Sequence, residues 1–194
     1  MTRLFSTLAA VAFAAASPLA SAGILGTPVE GFISFNGGST NYFNSSNGFV
    51  PGGCQNSGTG STTVTVVNPG AEFCFADGLN TDTANFTDNT LTYTDVSGGG
   101  TASTLLRFTF APGLVTGVLE LSDNFLNGGA TASFAGNVLT INIATFNPAG
   151  SYSASYSLLS APAAVPEPST LALLGAVGVA AAAVARRRRA GKPG

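Results

Sequence analysis

The 194-residue chain has no histidine, no tryptophan and two cysteines, and its formal charge of -2 hides a separation: between Gly23 and Val165 eight carboxylates face one base, Arg107. A body without lysine or histidine excludes histidine triads and lysine nucleophiles, and its acidity argues against nucleic acid, whose phosphates are met by Lys and Arg. The 45% hydrophobic content comes largely from Ala-rich ends, and the interior of Gly, Thr, Ser, Asn and scattered Phe suits strands and turns.

The first 22 residues read as a secretory signal peptide. Arg3 gives the positive start, Leu4 to Ala16 the apolar stretch, and Ala20-Ser21-Ala22 the small-residue cleavage pattern, so the expected mature N-terminus is Gly23. Residues 23–161 then form one body of single-domain size.

Val29 to Phe35 is a first strand that stops at Asn36-Gly37-Gly38. Ser39 to Thr63 is rich in Asn, Ser and Gly, and is expected to be a long surface loop with Tyr42, Phe43 and Phe49 tucking back. Thr62 to Val67 alternates Thr with Val, and Ala71 to Ala76 follows across Asn68-Pro69-Gly70, so the two segments are expected to form a hairpin-like pair. Asn85 to Thr87 and Thr90 to Thr94 are short β-prone pieces. Ser103 to Phe110 and Leu114 to Leu121 read as core strands. Thr131 to Ala135 and Val138 to Ile143 flank Gly136-Asn137, the composition of a two-residue hairpin turn. Tyr152 to Leu158 alternates apolar residues with serines, the period of a half-buried strand. About ten short strands predict an all-β fold, a single β-sandwich or jelly-roll-like domain whose edges are partly covered by loops.

Cys54 and Cys74 are an even pair in an exported chain, so a disulfide is expected, with two free thiols as the alternative. Asp77, Asn80, Asp82, Asn85, Asp88 and Asn89 make an oxygen-rich stretch. Ordinary turn chemistry accounts for it, and no metal site is assigned; calcium, with Asp77, Asp82 and Asp88 as ligands, is the alternative, although the spacing matches no standard loop. Glu72 with Asp77, or Glu120 with Asp123, are the carboxylate pairs open to glycosidase-like chemistry. Nothing in the sequence brings either pair together, so no catalytic residue and no cofactor is assigned, and the chain reads as a non-enzyme. Hydroxyl and amide groups on the body suit carbohydrate contact, with the Tyr42 to Phe49 loop as the stretch to name.

Residues 162–170 form a stiff Pro-rich linker. Residues 171–185 are fifteen uncharged residues, about 22 Å as a helix against a hydrocarbon core of about 30 Å, which predicts a short transmembrane helix. Arg186, Arg187, Arg188 and Arg189 follow as a stop-transfer signal, placing residues 186–194 in the cytoplasm as a basic tail. Val165-Pro166-Glu167-Pro168-Ser169, the apolar run and the terminal arginines together resemble the PEP-CTERM sorting signal of Gram-negative bacteria.

That resemblance implies recognition of Pro166, Glu167 and Pro168 by an exosortase in the inner membrane, cleavage near the motif, and export in bacteria that make exopolysaccharide. Asn41-Tyr42-Phe43 and Ala84-Asn85-Phe86-Thr87 also resemble a recurrent ectodomain of such proteins, which implies a β-sandwich and no activity. The expected function is therefore a non-enzymatic cell-surface or extracellular-matrix protein of the biofilm. Its body would be periplasmic while the tail is anchored, then released to the surface. The alternative is a carbohydrate-binding module acting on exopolysaccharide.

Overall fold

The computed structural model describes residues 23–160 apart from 48, 58–60 and 145–147. The alternation of apolar and polar residues produces ten strands: β1 (Pro28–Phe35), β2 (Thr63–Thr65), β3 (Phe73–Ala76), β4 (Thr81–Phe86), β5 (Thr90–Ser97), β6 (Thr104–Thr109), β7 (Gly117–Asp123), β8 (Ala130–Ala135), β9 (Val138–Ile143) and β10 (Gly150–Leu159). They make two five-stranded sheets, β2-β1-β6-β9-β8 and β3-β4-β5-β10-β7. Every strand pair is antiparallel. The body is thus all-β, built as a sandwich.

One face of each strand fills the layer between the sheets. Val29 and Ile33 of β1, Leu106 and Phe108 of β6, and Leu139 and Ile141 of β9 are buried, as are Phe73, Phe86, Leu91, Tyr93, Ala154 and Tyr156 from the other sheet. Phe108 joins the two layers, with ring centroids 5.7 Å from Phe73 and 5.2 Å from Phe86, the latter edge-on. Such pairs add about 0.5–1.5 kcal/mol beyond the area they bury. Gly31 sits on the inward face of β1, where any Cβ would run into the Phe73 ring. The glycine is what lets that ring reach the opposite sheet.

Local signals are matched closely in the C-terminal half of the body. Gly136 and Asn137 both have positive φ, 54° and 64°, the requirement of a type I′ turn, and Ala135 pairs with Val138 across them. On β10, Tyr152, Ala154, Tyr156 and Leu158 face inward while the serines face out.

Three expectations are corrected. The segments around Val64 and Phe73 are not a hairpin: β2 pairs with β1, β3 pairs with β4, and residues 66–72 carry the chain from one sheet to the other. Alternation determines which face is buried, and both faces find the same core from opposite sides. The segment ending at Leu121 is not a core strand, because β7 lies at the edge of its sheet and pairs only with β10 through a register shift. Leu119 and Leu121 are exposed there, and only Val118 packs against the core. Finally, β4 begins at Thr81, inside the stretch read as turn-forming.

The long loop after β1 shields two sheet edges by using asparagine side chains as substitute backbone. Beside β1, the Asn41 side chain accepts from the Ile33 N–H at 3.1 Å and donates to the Gly31 carbonyl at 2.9 Å. Beside β3, the buried Asn56 side chain accepts from the Cys74 N–H at 3.1 Å and donates to the Phe43 carbonyl at 2.7 Å. A carboxamide carries one acceptor and two donors, the same groups that a strand presents. Edges so covered offer fewer free groups for pairing with another chain.

Candidate functional site

Following the inward faces toward one end of the sandwich, the core turns from apolar to polar. On β5 the inward series runs Leu91, Tyr93, Asp95, Ser97; on β4 it runs back from Phe86 and Ala84 to Asp82; on β6 it runs back from Phe108 and Leu106 to Thr104. At that end lies a cavity of about 250 Å³ lined by Asp82, Asp95, Asp77, Phe35, Phe75 and Thr104, among others. The antiparallel register sets Asp82 directly opposite Asp95.

The three carboxyls differ in environment. Asp82 is only 2% exposed, and the Tyr93 hydroxyl donates to its Oδ1. Burial pushes its pKa up to about 7; the Tyr93 hydrogen bond opposes this, and the charges of Asp95 and Asp77 add to it. Asp95 is raised to about 6, mainly by burial and then by Asp77. For Asp77 burial also pushes upward, but hydrogen bonds from Asn80 and from the backbone outweigh it and hold the carboxyl below its usual range. Asp77 Oδ1 takes the N–H groups of Leu79 at 2.9 Å and Asn80 at 2.7 Å, and the Asn80 amide spans both carboxylate oxygens. Tyr93 is buried, and its phenol is driven well above the ordinary range, first by desolvation and then by the Asp82 charge.

An aromatic cluster flanks the acids. Phe35 and Phe75, whose centroids are 4.9 Å apart, line the cavity, and Tyr42 lies 5.4 Å from Phe35 and 5.6 Å from Phe75. Phe49, partly exposed, extends the cluster at 5.6 Å from Phe75. The Tyr42 to Phe49 loop therefore supplies two rings to the back of the site, while Phe43 is wholly buried against Phe73. Tyr93, Tyr152 and Tyr156 are all core residues.

The carboxylate groupings considered from sequence do not assemble. Asp88 lies beyond the opposite end of β4 from Asp82, where its carbonyl accepts from the Ile24 N–H at 2.9 Å. Among the described residues no group of three His, Cys, Asp or Glu is placed to hold a metal ion. The alternative calcium set of Asp77, Asp82 and Asp88 is not brought together among the described residues.

Of the carboxylates in the two acid and base pairs, Glu72, Asp77 and Asp123 accept hydrogen bonds from backbone N–H groups. Glu72 is buried at the crossing between sheets, with Oε1 accepting from the Val67 N–H and Oε2 from the Phe86 N–H. Asp123 ties the turn after β7 by accepting from the N–H groups of Phe125 and Ala130, whereas Glu120 lies on the exposed edge strand. Cys54 and Cys74 are disulfide-bonded with their Cα atoms 6.0 Å apart, fastening the long loop to β3. Sequence reasoning missed Asp95 and its pairing with Asp82, because cross-strand register is not written in either segment alone. The signal present was the period-2 series Asp82, Ala84, Phe86, which puts an acid on an apolar face.

The body is therefore an all-β domain of two packed antiparallel sheets with an acid-lined cavity toward one end. Beyond it, the family model of the PEP-CTERM protein-sorting motif matches residues 164–189, so the chain is a PEP-CTERM domain-containing protein. The match implies exosortase-dependent sorting of an exported protein. It covers the tail and leaves the body unassigned. Neither a curated protein nor a solved structure matches the chain. The residues expected to act in sorting, Val165 to Ser169, in stop-transfer, Arg186 to Arg189, and in signal cleavage, Ala20 and Ala22, lie outside the described residues, and so do the expected leader and apolar run. Among the described residues no helix is long and apolar enough to cross a membrane.

Proposed function

We propose that the chain is a non-enzymatic surface or matrix protein, exported by its leader, held briefly in the inner membrane by residues 171–185, and released by cleavage near Pro166 to Pro168. The observation that carries this reading is the sorting motif at residues 164–189 together with the arginines that end it. Fifteen Ala-rich residues span about 22 Å, short of a hydrocarbon core of about 30 Å, which suits a temporary hold better than a permanent anchor. Mass spectrometry of both termini, in cells with and without exosortase, tests it. The expected product starts at Gly23 and lacks Arg186 to Arg189 only when the enzyme is present. Mature protein that keeps the arginines in the inner membrane of exosortase-positive cells overturns the processing step.

A second reading, a carbohydrate-binding module for exopolysaccharide, is supported by one specific observation: Phe35 and Phe75 stand beside Asp82 and Asp95 in a single cavity. Carboxylates accept hydrogen bonds from sugar hydroxyls, and aromatic rings offer an apolar face to the sugar ring. Absence of any glycan binding by the purified chain on an array would overturn it.

A further inference from the structure

Resting on the carbohydrate reading, we propose that the cavity takes an amino sugar: a monosaccharide unit with a free ammonium group seated between Asp82 and Asp95 and its ring against Phe35 and Phe75. Two carboxyls directly opposite on neighbouring strands repel each other, and buried charge is costly unless paired. The only Lys or Arg among the described residues, Arg107, is on the outward face of the other sheet, with its guanidinium 4.2 Å from the Phe32 ring centroid. Among the described residues no cation faces the pair, and a cationic ligand would neutralise it.

Hydrogen bonding points the same way. Asp82 Oδ1 takes the Tyr93 hydroxyl, and no hydrogen bond from a described residue reaches Oδ2, although the residue is 2% exposed and lines the cavity. That oxygen has lone pairs left to accept from a ligand donor in the cavity. Burial is the first cause of the raised proton affinities of Asp82 and Asp95, and the neighbouring carboxylate charges add to it.

The lining then selects among cations. Calcium takes six to eight oxygens, but Asp77 is saturated by its own turn, the Asn80 side-chain oxygen takes the Gly98 N–H at 3.1 Å, and the facing wall is phenylalanine. An ammonium needs only three acceptors and is attracted to aromatic faces. Ser97 and Thr104, both on inward faces, put hydroxyls in the same wall for the remaining groups of a sugar ring. At about 250 Å³ the cavity falls below the roughly 300–1,000 Å³ of sites for drug-sized ligands, which fits one ring.

Calorimetric titration of the full-length chain in detergent, at neutral pH, compares glucosamine oligosaccharides with their N-acetylated forms, with neutral cello-oligosaccharides and with a lysine amide. Expected is binding of the amino form, and weakening by about tenfold or more on acetylation, as for loss of a charge-assisted contact. D95N, at a half-buried position, is expected to weaken binding by a similar factor with the thermal midpoint retained, so the test does not depend on D82N folding. Equal binding of the acetylated or neutral oligosaccharides overturns the amino-sugar proposal and leaves the carbohydrate reading standing. Binding of the lysine amide alone, or of no ligand, overturns both. Undiminished binding of the amino form by D95N overturns the site assignment.

Discussion

Asp82 on β4 and Asp95 on β5 stand directly opposite each other on the inward face of their sheet, with Asp82 almost wholly buried. Their pKa values, about 7 and about 6 against an ordinary 3.8, make the folded body bind more protons than the unfolded chain between roughly pH 4 and 7. The stability this provides is present below the unfolded value and is lost as pH rises through the folded values. Glu72, also raised, acts in the same direction, while Asp77, lowered, changes its contribution only below its ordinary value, outside this window. The expected outcome is a thermal midpoint that falls from pH 5 to pH 8, with a loss of unfolding free energy of about 3 kcal/mol at most from Asp82. Melts of D82N should show a flatter profile, because the amide still accepts from Tyr93 and carries no proton to lose. A midpoint that rises over this range would contradict the buried-acid assignment.

Strand periods and turns were legible because they are local. Gly136-Asn137 announces its hairpin and Tyr152 to Leu158 its buried face without reference to any other segment. Sheet membership was not legible, because Val64 and Phe73 bury their side chains in one core from opposite layers. The site was half visible: its acids stood out by type, but Asp82 lies in a strand that Asp and Asn disguise as a turn. A buried acid is tolerated there because Tyr93 reaches it from the next strand, a relation no single segment displays.

Asn56 provides a sharp test of how the long loop is fastened. Its side chain makes three contacts, to the Phe43 carbonyl at 2.7 Å, the Cys74 carbonyl at 3.3 Å and the Cys74 N–H at 3.1 Å, from a fully buried position. Alanine would orphan these groups without water to replace the amide. We expect N56A to lower unfolding free energy by about 2–4 kcal/mol, and N41A, half-buried beside β1, by less. Urea unfolding of the variants measures both.

The Cys54–Cys74 bridge closes a loop with a sequence separation of 20. In the chain-entropy description such closure stabilises by about 3 kcal/mol, so C54A/C74A should unfold at correspondingly lower urea concentration. Because Asn56 holds the same loop to the same strand, adding N56A to the cysteine variant should cost less than the sum of the two. A full double-mutant cycle by urea unfolding measures that coupling, and strict additivity would show that the two fastenings act independently.

Glu72 tests the crossing between sheets. Its carboxylate accepts from the Val67 N–H at 3.0 Å on the side of one sheet and from the Phe86 N–H at 2.7 Å at the end of β4 in the other. The residue is wholly buried, and desolvation lifts its pKa despite those bonds. E72Q keeps the shape and one acceptor but turns an amide NH₂ toward a backbone donor, which should destabilise by about 1–3 kcal/mol. E72A removes both acceptors and leaves a void, so the loss should be larger, about 3–5 kcal/mol. The distinguishing measurement is hydrogen exchange. If the carboxylate joins the layers, the Val67 and Phe86 amides should lose protection together in E72Q, while those of the β8–β9 hairpin keep theirs. Uniform loss across the body would mean that Glu72 supports global stability without a specific part in the crossing.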